Sequence, residues 1–206
     1  MENTIITINR ECGSGGGEIA HLLGEKLGLK VYGRTLLEGV ARQFGLTLDE
    51  LDRVKAQKSN WWSDFCHFYQ QFGAAGYTPG AIADATPMSV YYAEERLLRD
   101  LASQESCIVV GRAGFHVFRD TPGAIHLLLV ADRDARIARI ARKQNLSADE
   151  ATRVVDEVDG ARDTFVKNVA GTSRHDARNY FACLNVTGLE PERVADFLAE
   201  QIRRKL

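Results

Sequence analysis

Four glycines in five residues, Gly13-Ser14-Gly15-Gly16-Gly17, separate a β-branched run at Thr4–Ile8 from a helical pattern in which Ile19, Ala20, Leu22, Leu23 and Leu27 recur at three and four. A strand, a glycine-rich loop and a helix N-terminus form an anion site. Free backbone N–H groups face the ligand there, and the helix dipole favours negative charge. Glycine lets the chain curl closely around phosphate oxygens.

The rest of the chain agrees with this start. Gly28 stops the first helix, and Lys30–Tyr32 reads as a short strand. Helical patterns follow at 35–45 and from the capping box Thr47-Leu48-Asp49-Glu50. Residues 89–104 read as helix, Cys107–Val110 as a buried strand, and Ala124–Ala131 as a continuous apolar strand. Helices are predicted at 133–143 and at 147–168, the second opened by Ser147-Ala148-Asp149-Glu150. Phe181–Val186 is the last strand and 190–205 the last helix. Alternating elements with apolar strands imply an α/β fold whose mostly parallel sheet is covered on both faces. Ligands in such folds bind at the carboxyl ends of the strands. Those ends carry the Gly13–Gly17 loop, Gly111-Arg112 and Asp132.

Composition narrows the function. A formal net charge of −2 offers no basic field for a nucleic-acid polymer. The four cysteines and five histidines are scattered, without CxxC or HxxxH, so neither a zinc site nor a disulfide framework is expected and no metal ligands can be named. The start Met1-Glu2-Asn3-Thr4 lacks the pattern of a signal peptide, and no apolar run reaches membrane-spanning length. A cytoplasmic protein without membrane contact is the expectation.

Two phosphate-loop patterns compete. GxGxxG/A fits Gly15-Gly16-Gly17-Glu18-Ile19-Ala20, and with Arg34 it would suit NADP. Asn9 to Ser14 make that loop too long. GxxxxGK[ST] tolerates the length, with Gly15 as its second glycine. Arg10 then occupies the first glycine position, Gly16 the lysine position, and Gly17 and Glu18 the places after it.

Asn9-Arg10-Glu11-Cys12-Gly13-Ser14-Gly15-Gly16, with Lys26-Leu27-Gly28 behind it, resembles the cytidylate kinase-like family of P-loop proteins. The likeness continues through Ile108–Arg112, through Ile125–Ala131 followed by Arg136 and Arg139, through Asp159-x-x-Arg162 with Phe165 and Lys167, and through Asn179–Asn185. It implies a three-layer P-loop NTPase fold with a five-stranded parallel sheet. It also implies one domain over residues 1–206, a helical acceptor-binding insert at 46–104 and a lid region at 133–178. The implied activity is transfer of the γ-phosphoryl group of ATP, with Mg²⁺, to a nucleoside monophosphate such as CMP or dCMP. The alternative is a nucleotide-binding regulatory protein without catalysis, which the missing lysine favours.

The parts follow from that reading. Gly13, Ser14, Gly15, Gly16 and Gly17 would cradle the β phosphate. Arg10 either replaces the lysine or pairs with Glu11 or another carboxylate. Glu18 either meets the metal or favours the helix N-terminus. Arg112 would hold the acceptor phosphate, although Ala113 stands where cytidylate kinases usually carry aspartate. Arg136 and Arg139 share one broad helix face with Arg142 and are candidates for the nucleotide phosphates. Arg162 and Lys167 are the lid candidates, and Asp159 would orient Arg162. Cys12 is read as a small space-filling residue. Seven aromatics fall within residues 61–77: Trp61, Trp62, Phe65, Phe68, Tyr69, Phe72 and Tyr77. Several share helical spacing, as core, as a homodimer face or as an acceptor pocket.

Overall fold

Ile5, Ile6 and Ile8 are stiff at χ1 and pack well on a pleated surface. They begin β1 (Ile5–Arg10), which lies at the centre of the sheet. The computed structural model describes residues 3–33 and 87–205. The expected helices at 35–45 and from Thr47, the aromatic stretch 61–77 and most of the expected insert lie outside the described residues.

After β1 come α1 (Gly16–Leu27), β2 (Lys30–Tyr32), α2 (Pro87–Gln104), β3 (Cys107–Val110), the short α3 (Gly114–Val117) and β4 (Ile125–Val130). Then follow α4 (Arg133–Gln144), α5 (Ala148–Ala170), a 3₁₀ turn (Ala177–Asn179), β5 (Ala182–Asn185) and α6 (Pro191–Lys205). The five strands stand in the order β2-β3-β1-β4-β5, with every pairing parallel. Parallel neighbours require crossovers, and these lay helices on both faces. On one face Ile6, Ile8, Ile108 and Leu127 pack with Leu23 of α1 and Leu198 and Ile202 of α6. On the other, Ile5, Val109 and Cys107 meet Leu98 of α2, Phe115 of α3 and Val166 of α5. Burying one such Leu or Ile contributes about 1.5–3 kcal/mol.

Local signals act as expected at several ends. Gly28 takes a left-handed conformation (φ 68°) and closes α1, with the Leu29 N–H reaching the Gly24 carbonyl at 2.9 Å. Ser147 and Glu150 form a complete capping box on α5. Several strand ends differ from expectation by one or two residues, since β4 spans Ile125–Val130 and β5 Ala182–Asn185. β1 runs on through Asn9 and Arg10, which pair with Leu128 and Leu129 of β4. Ladder pairing is a backbone matter, so polar side chains did not stop it. β5 begins after Phe181, which is 46% exposed and lies under the Lys205 ammonium at 4.4 Å. No helix of the described residues is long and apolar enough to cross a membrane.

The register fixes the site. Ile8 lies opposite Val110 on one side and Leu127 on the other. The carboxyl ends of β1, β3 and β4 therefore come together, bringing Arg10, Gly111-Arg112 and Ala131-Asp132 to one edge.

Candidate active site

The loop after β1 is shaped by close approaches. Gly13 has φ 79°, and a Cβ there would lie 2.6 Å from the carbonyl oxygen of Arg136. Gly15 has φ 84°, and its Cβ would lie 2.8 Å from Nη1 of Arg139. Both positions need the left-handed region that side chains disfavour. Ser14 is 4% exposed, and its hydroxyl donates to the Glu11 carbonyl at 2.9 Å. It braces the turn from inside. Its N–H also turns inward, to the same carbonyl at 3.4 Å. The expected part of Ser14 in the cradle thus becomes a supporting one. The Gly16 N–H reaches the Ser14 hydroxyl at 3.4 Å, which leaves the exposed Gly17 as the first-turn N–H of α1 without a protein acceptor among the described residues.

Arg10 leads this loop. Its stem packs where a Cβ on Gly16 would stand, 2.7 Å from the Arg10 Cβ. Its guanidinium lies on Gly111, whose φ of 77° leaves room that any side chain would fill. Among the described residues no carboxylate pairs with it. Glu11, the alternative partner, instead accepts from the Ala131 N–H at 2.9 Å and pairs with Arg136 and His175. Burial pushes the Arg10 guanidinium down to about 9, and repulsion from Arg162, Arg112 and Arg174 adds to the effect.

Three arginines surround Arg10. Arg112 is the middle residue of the Gly111-Arg112-Ala113 turn, in which φ is 77°, 58° and 49°. Two consecutive non-glycine residues in that region store strain of a kind concentrated at functional sites. Arg112 pairs at 3.1 Å with Glu94 of α2, which is fully buried. Arg112 Nε has no hydrogen-bond partner among the described residues. Arg162 of α5 donates to the Arg10 carbonyl at 3.3 Å and approaches Asp159 at 3.5 Å, as expected; burial pushes its guanidinium down. Arg174, in the loop after α5, donates to the same carbonyl at 3.1 Å and is 1% exposed.

Asp159 is the hub beneath the loop. It accepts from the Cys12 N–H at 2.9 Å, from Arg136 at 2.7 Å and pairs with Arg174 at 3.1 Å. Arg136 is 8% exposed and donates to the carbonyls of Ala131 and Cys12 at 2.9 and 3.2 Å. It stands behind the loop, where it clamps backbone, rather than on the nucleotide side where the sequence had placed it. Cys12 packs with Ile140, Ala151 and Val155, and burial pushes its thiol up. Arg139 lies over Gly15 and pairs with the exposed Glu18 at 2.6 Å. Lys167 is exposed and sits five residues beyond Arg162, about 140° around α5. Its ammonium has no hydrogen bond or ion pair among the described residues, and the fold does not bring it to the arginines.

Two residues escaped the sequence reading. Glu94 shares a face with the buried Tyr91, Leu98 and Ala102, so a charge on an apolar helix stripe was its signal. Arg174 had none, since Ser173-Arg174-His175-Asp176 reads as an ordinary polar loop. Among the described residues no group of three or more His, Cys, Asp or Glu could hold a metal. Glu18 alone offers a carboxylate at the start of α1.

The profile of the cytidylate kinase-like family matches residues 5–188. The chain belongs to the cytidylate kinase-like family. Solved structures share its fold at low identity. An uncharacterised protein from Eubacterium ventriosum is 19% identical, with a TM-score of 0.69 over 98% of this chain and 99% of that one. Shikimate kinase from Bacteroides thetaiotaomicron is 14% identical, with a TM-score of 0.51 over 98% and 96%. Shikimate kinase from Acinetobacter baumannii, in complex with shikimate, is 12% identical with a TM-score of 0.50 over 98% and 94%. No curated protein matches the sequence. The five-stranded parallel sheet and the loop after β1 are thus those of a P-loop kinase fold, and the chain is a member of a kinase-like P-loop family.

Proposed function

We propose that this protein transfers the γ-phosphoryl group of ATP to a nucleoside monophosphate, CMP or dCMP. The observation that carries the reading is the convergence of Arg10, Arg112, Arg162 and Arg174 on the glycine loop, with Arg10 lacking a carboxylate partner among the described residues. A buried cation without a counter-ion is unfavourable, and an arriving phosphate supplies that counter-ion.

Roles follow from position. The loop N–H groups and the N-terminus of α1 hold the β phosphate. Arg10 supplies the positive charge that a lysine at position 16 would have supplied. Arg112, oriented by Glu94, takes the acceptor phosphate. Arg162 closes over the transferring group, and Arg139 lies above Gly15 beside the nucleotide. An oxygen of the acceptor monophosphate attacks the γ phosphorus as the bond to the ADP oxygen breaks. The nucleophile is already an anion, so a strong general base is unnecessary. The protein positions groups and neutralises charge. Bound Mg²⁺ would add neutralisation at the β and γ phosphates, with Glu18 the nearest carboxylate. We place the activity in the cytoplasm, where ATP is available.

A second reading is a nucleotide-binding regulator without turnover, favoured by Gly16 at the lysine position. An ADP-release assay with ATP–Mg²⁺ and a panel of CMP, dCMP, UMP, AMP and small alcohols separates them. Turnover is expected with CMP or dCMP. Turnover with another acceptor alone would replace the cytidylate assignment. ATP binding by calorimetry with no turnover on any acceptor would favour the regulator.

A further inference from the structure

Arg174 is the most buried arginine of the site, and all three of its nitrogens have partners. Nε donates to Asp163 at 2.5 Å, Nη1 to the Arg10 carbonyl at 3.1 Å, and Nη2 pairs with Asp159 at 3.1 Å. Its backbone is tied as well. The Tyr180 hydroxyl donates to the Arg174 carbonyl at 2.6 Å and accepts from Asn9 Nδ2 at 2.8 Å. Asn9 Oδ1 in turn accepts from the Arg10 N–H at 3.1 Å. Both ends of the residue are therefore fixed to the last two residues of β1.

Asp159 and Asp163 lie one turn apart on α5, with Arg162 between them in sequence. The same oxygen of Asp159 lies 3.1 Å from Arg174 and 3.5 Å from Arg162. Arg174 holds the closer position. His175 adds a looser contact to Asp163 at 3.8 Å. Without Arg174, Asp159 would keep Arg136 at 2.7 Å but lose its other close guanidinium, and Asp163 would lose its nearest cation. Arg162, already 3.5 Å from Asp159, would be drawn onto these carboxylates and away from the loop.

We propose that Arg174 is a positioning residue that keeps Asp159 and Asp163 engaged, leaving the Arg162 guanidinium free to turn to the phosphates. The proposal rests on the phosphoryl-transfer reading, and it adds a role for a residue outside the direct phosphate contacts. It distinguishes Arg174 from a plain structural arginine by one consequence. Removing a carboxylate should restore function that removing Arg174 has lost.

The test is calorimetric titration of the full chain with inorganic tripolyphosphate and, separately, with ATP–Mg²⁺, alongside melting temperatures. Arg174→Gln is expected to weaken tripolyphosphate binding at least tenfold. Adding Asp163→Asn is expected to regain at least threefold of that loss without regaining melting temperature. Arg174→Lys keeps the charge and serves if Arg174→Gln fails to fold. It is expected to lose at least threefold, because an ammonium cannot reach both carboxylates and the carbonyl together. Binding within twofold of wild type in Arg174→Gln or Arg174→Lys overturns the proposal. So does a double variant no better than Arg174→Gln. Wild type that binds tripolyphosphate but not ATP, with the Arg174→Gln loss intact, overturns the nucleotide reading and supports this one. Wild type that binds neither overturns both.

Discussion

Replacing Arg10 by methionine should stabilise the unliganded protein while disabling it. Methionine keeps a stem against Gly16 and removes the charge. The guanidinium is pushed down from its ordinary range to about 9 by burial and by three neighbouring arginines. At about 1.4 kcal/mol per pK unit this is a folding penalty of at most about 5 kcal/mol. Relaxation and water reduce it, so a net gain of about 1–3 kcal/mol is expected for Arg10→Met. The sign follows from linkage. A cation whose folded pKa is lowered carries its full penalty below about 9, and the penalty fades as pH rises from there toward the ordinary guanidinium range. The advantage of Arg10→Met should therefore be largest at neutral pH and shrink above pH 9. Urea denaturation in a weakly binding buffer measures it, with and without ATP–Mg²⁺. At a hundred times Kd, ATP should stabilise wild type by about 2.7 kcal/mol. Arg10→Met should show almost none of that gain. A variant more than about 1 kcal/mol less stable than wild type, with ligand stabilisation intact, would make Arg10 a structural anchor and refute the reasoning.

Other substitutions probe the scaffold. Gly13→Ala places a Cβ 2.6 Å from the Arg136 carbonyl at a φ of 79° and should cost about 2–4 kcal/mol in urea denaturation. A loss below about 1 kcal/mol would mean the loop can move off α4 freely. Asp159→Ala leaves Arg136 and Arg174 each with one remaining carboxylate, Glu11 and Asp163. It should cost about 3 kcal/mol, the lower end for a broken buried pair. Asp159→Asn, which still accepts from the Cys12 N–H, should cost visibly less in the same experiment. Ser147→Ala removes the α5 capping box and should cost about 1 kcal/mol with KM for ATP unchanged.

The sheet was legible because its strands are apolar and β-branched runs bounded by turn residues. Cys107–Val110 and Lys30–Tyr32 match the structure residue for residue. The phosphate loop was legible from glycine density alone. Arginine roles were not, because an arginine's sequence position does not reveal which of its nitrogens are already satisfied. Arg136 and Arg139 are one helical step apart, yet one is locked to backbone carbonyls and the other lies over Gly15. The difference arises from the close contact between Gly13 and α4, which a linear sequence does not display. Arg174 was invisible because its partners, Asp159, Asp163 and the Arg10 carbonyl, meet only through the fold. The aromatic stretch 61–77, expected as core, homodimer face or acceptor pocket, lies outside the described residues.

If an arginine-ringed loop without a P-loop lysine transfers phosphate, γ-labelled ATP–Mg²⁺ and CMP or dCMP should yield labelled CDP or dCDP. The expected result is labelled product from wild type, lowered at least a hundredfold in Arg10→Met at saturating substrates. Product formed equally well by Arg10→Met, or no product from folded, ATP-bound wild type, would contradict it.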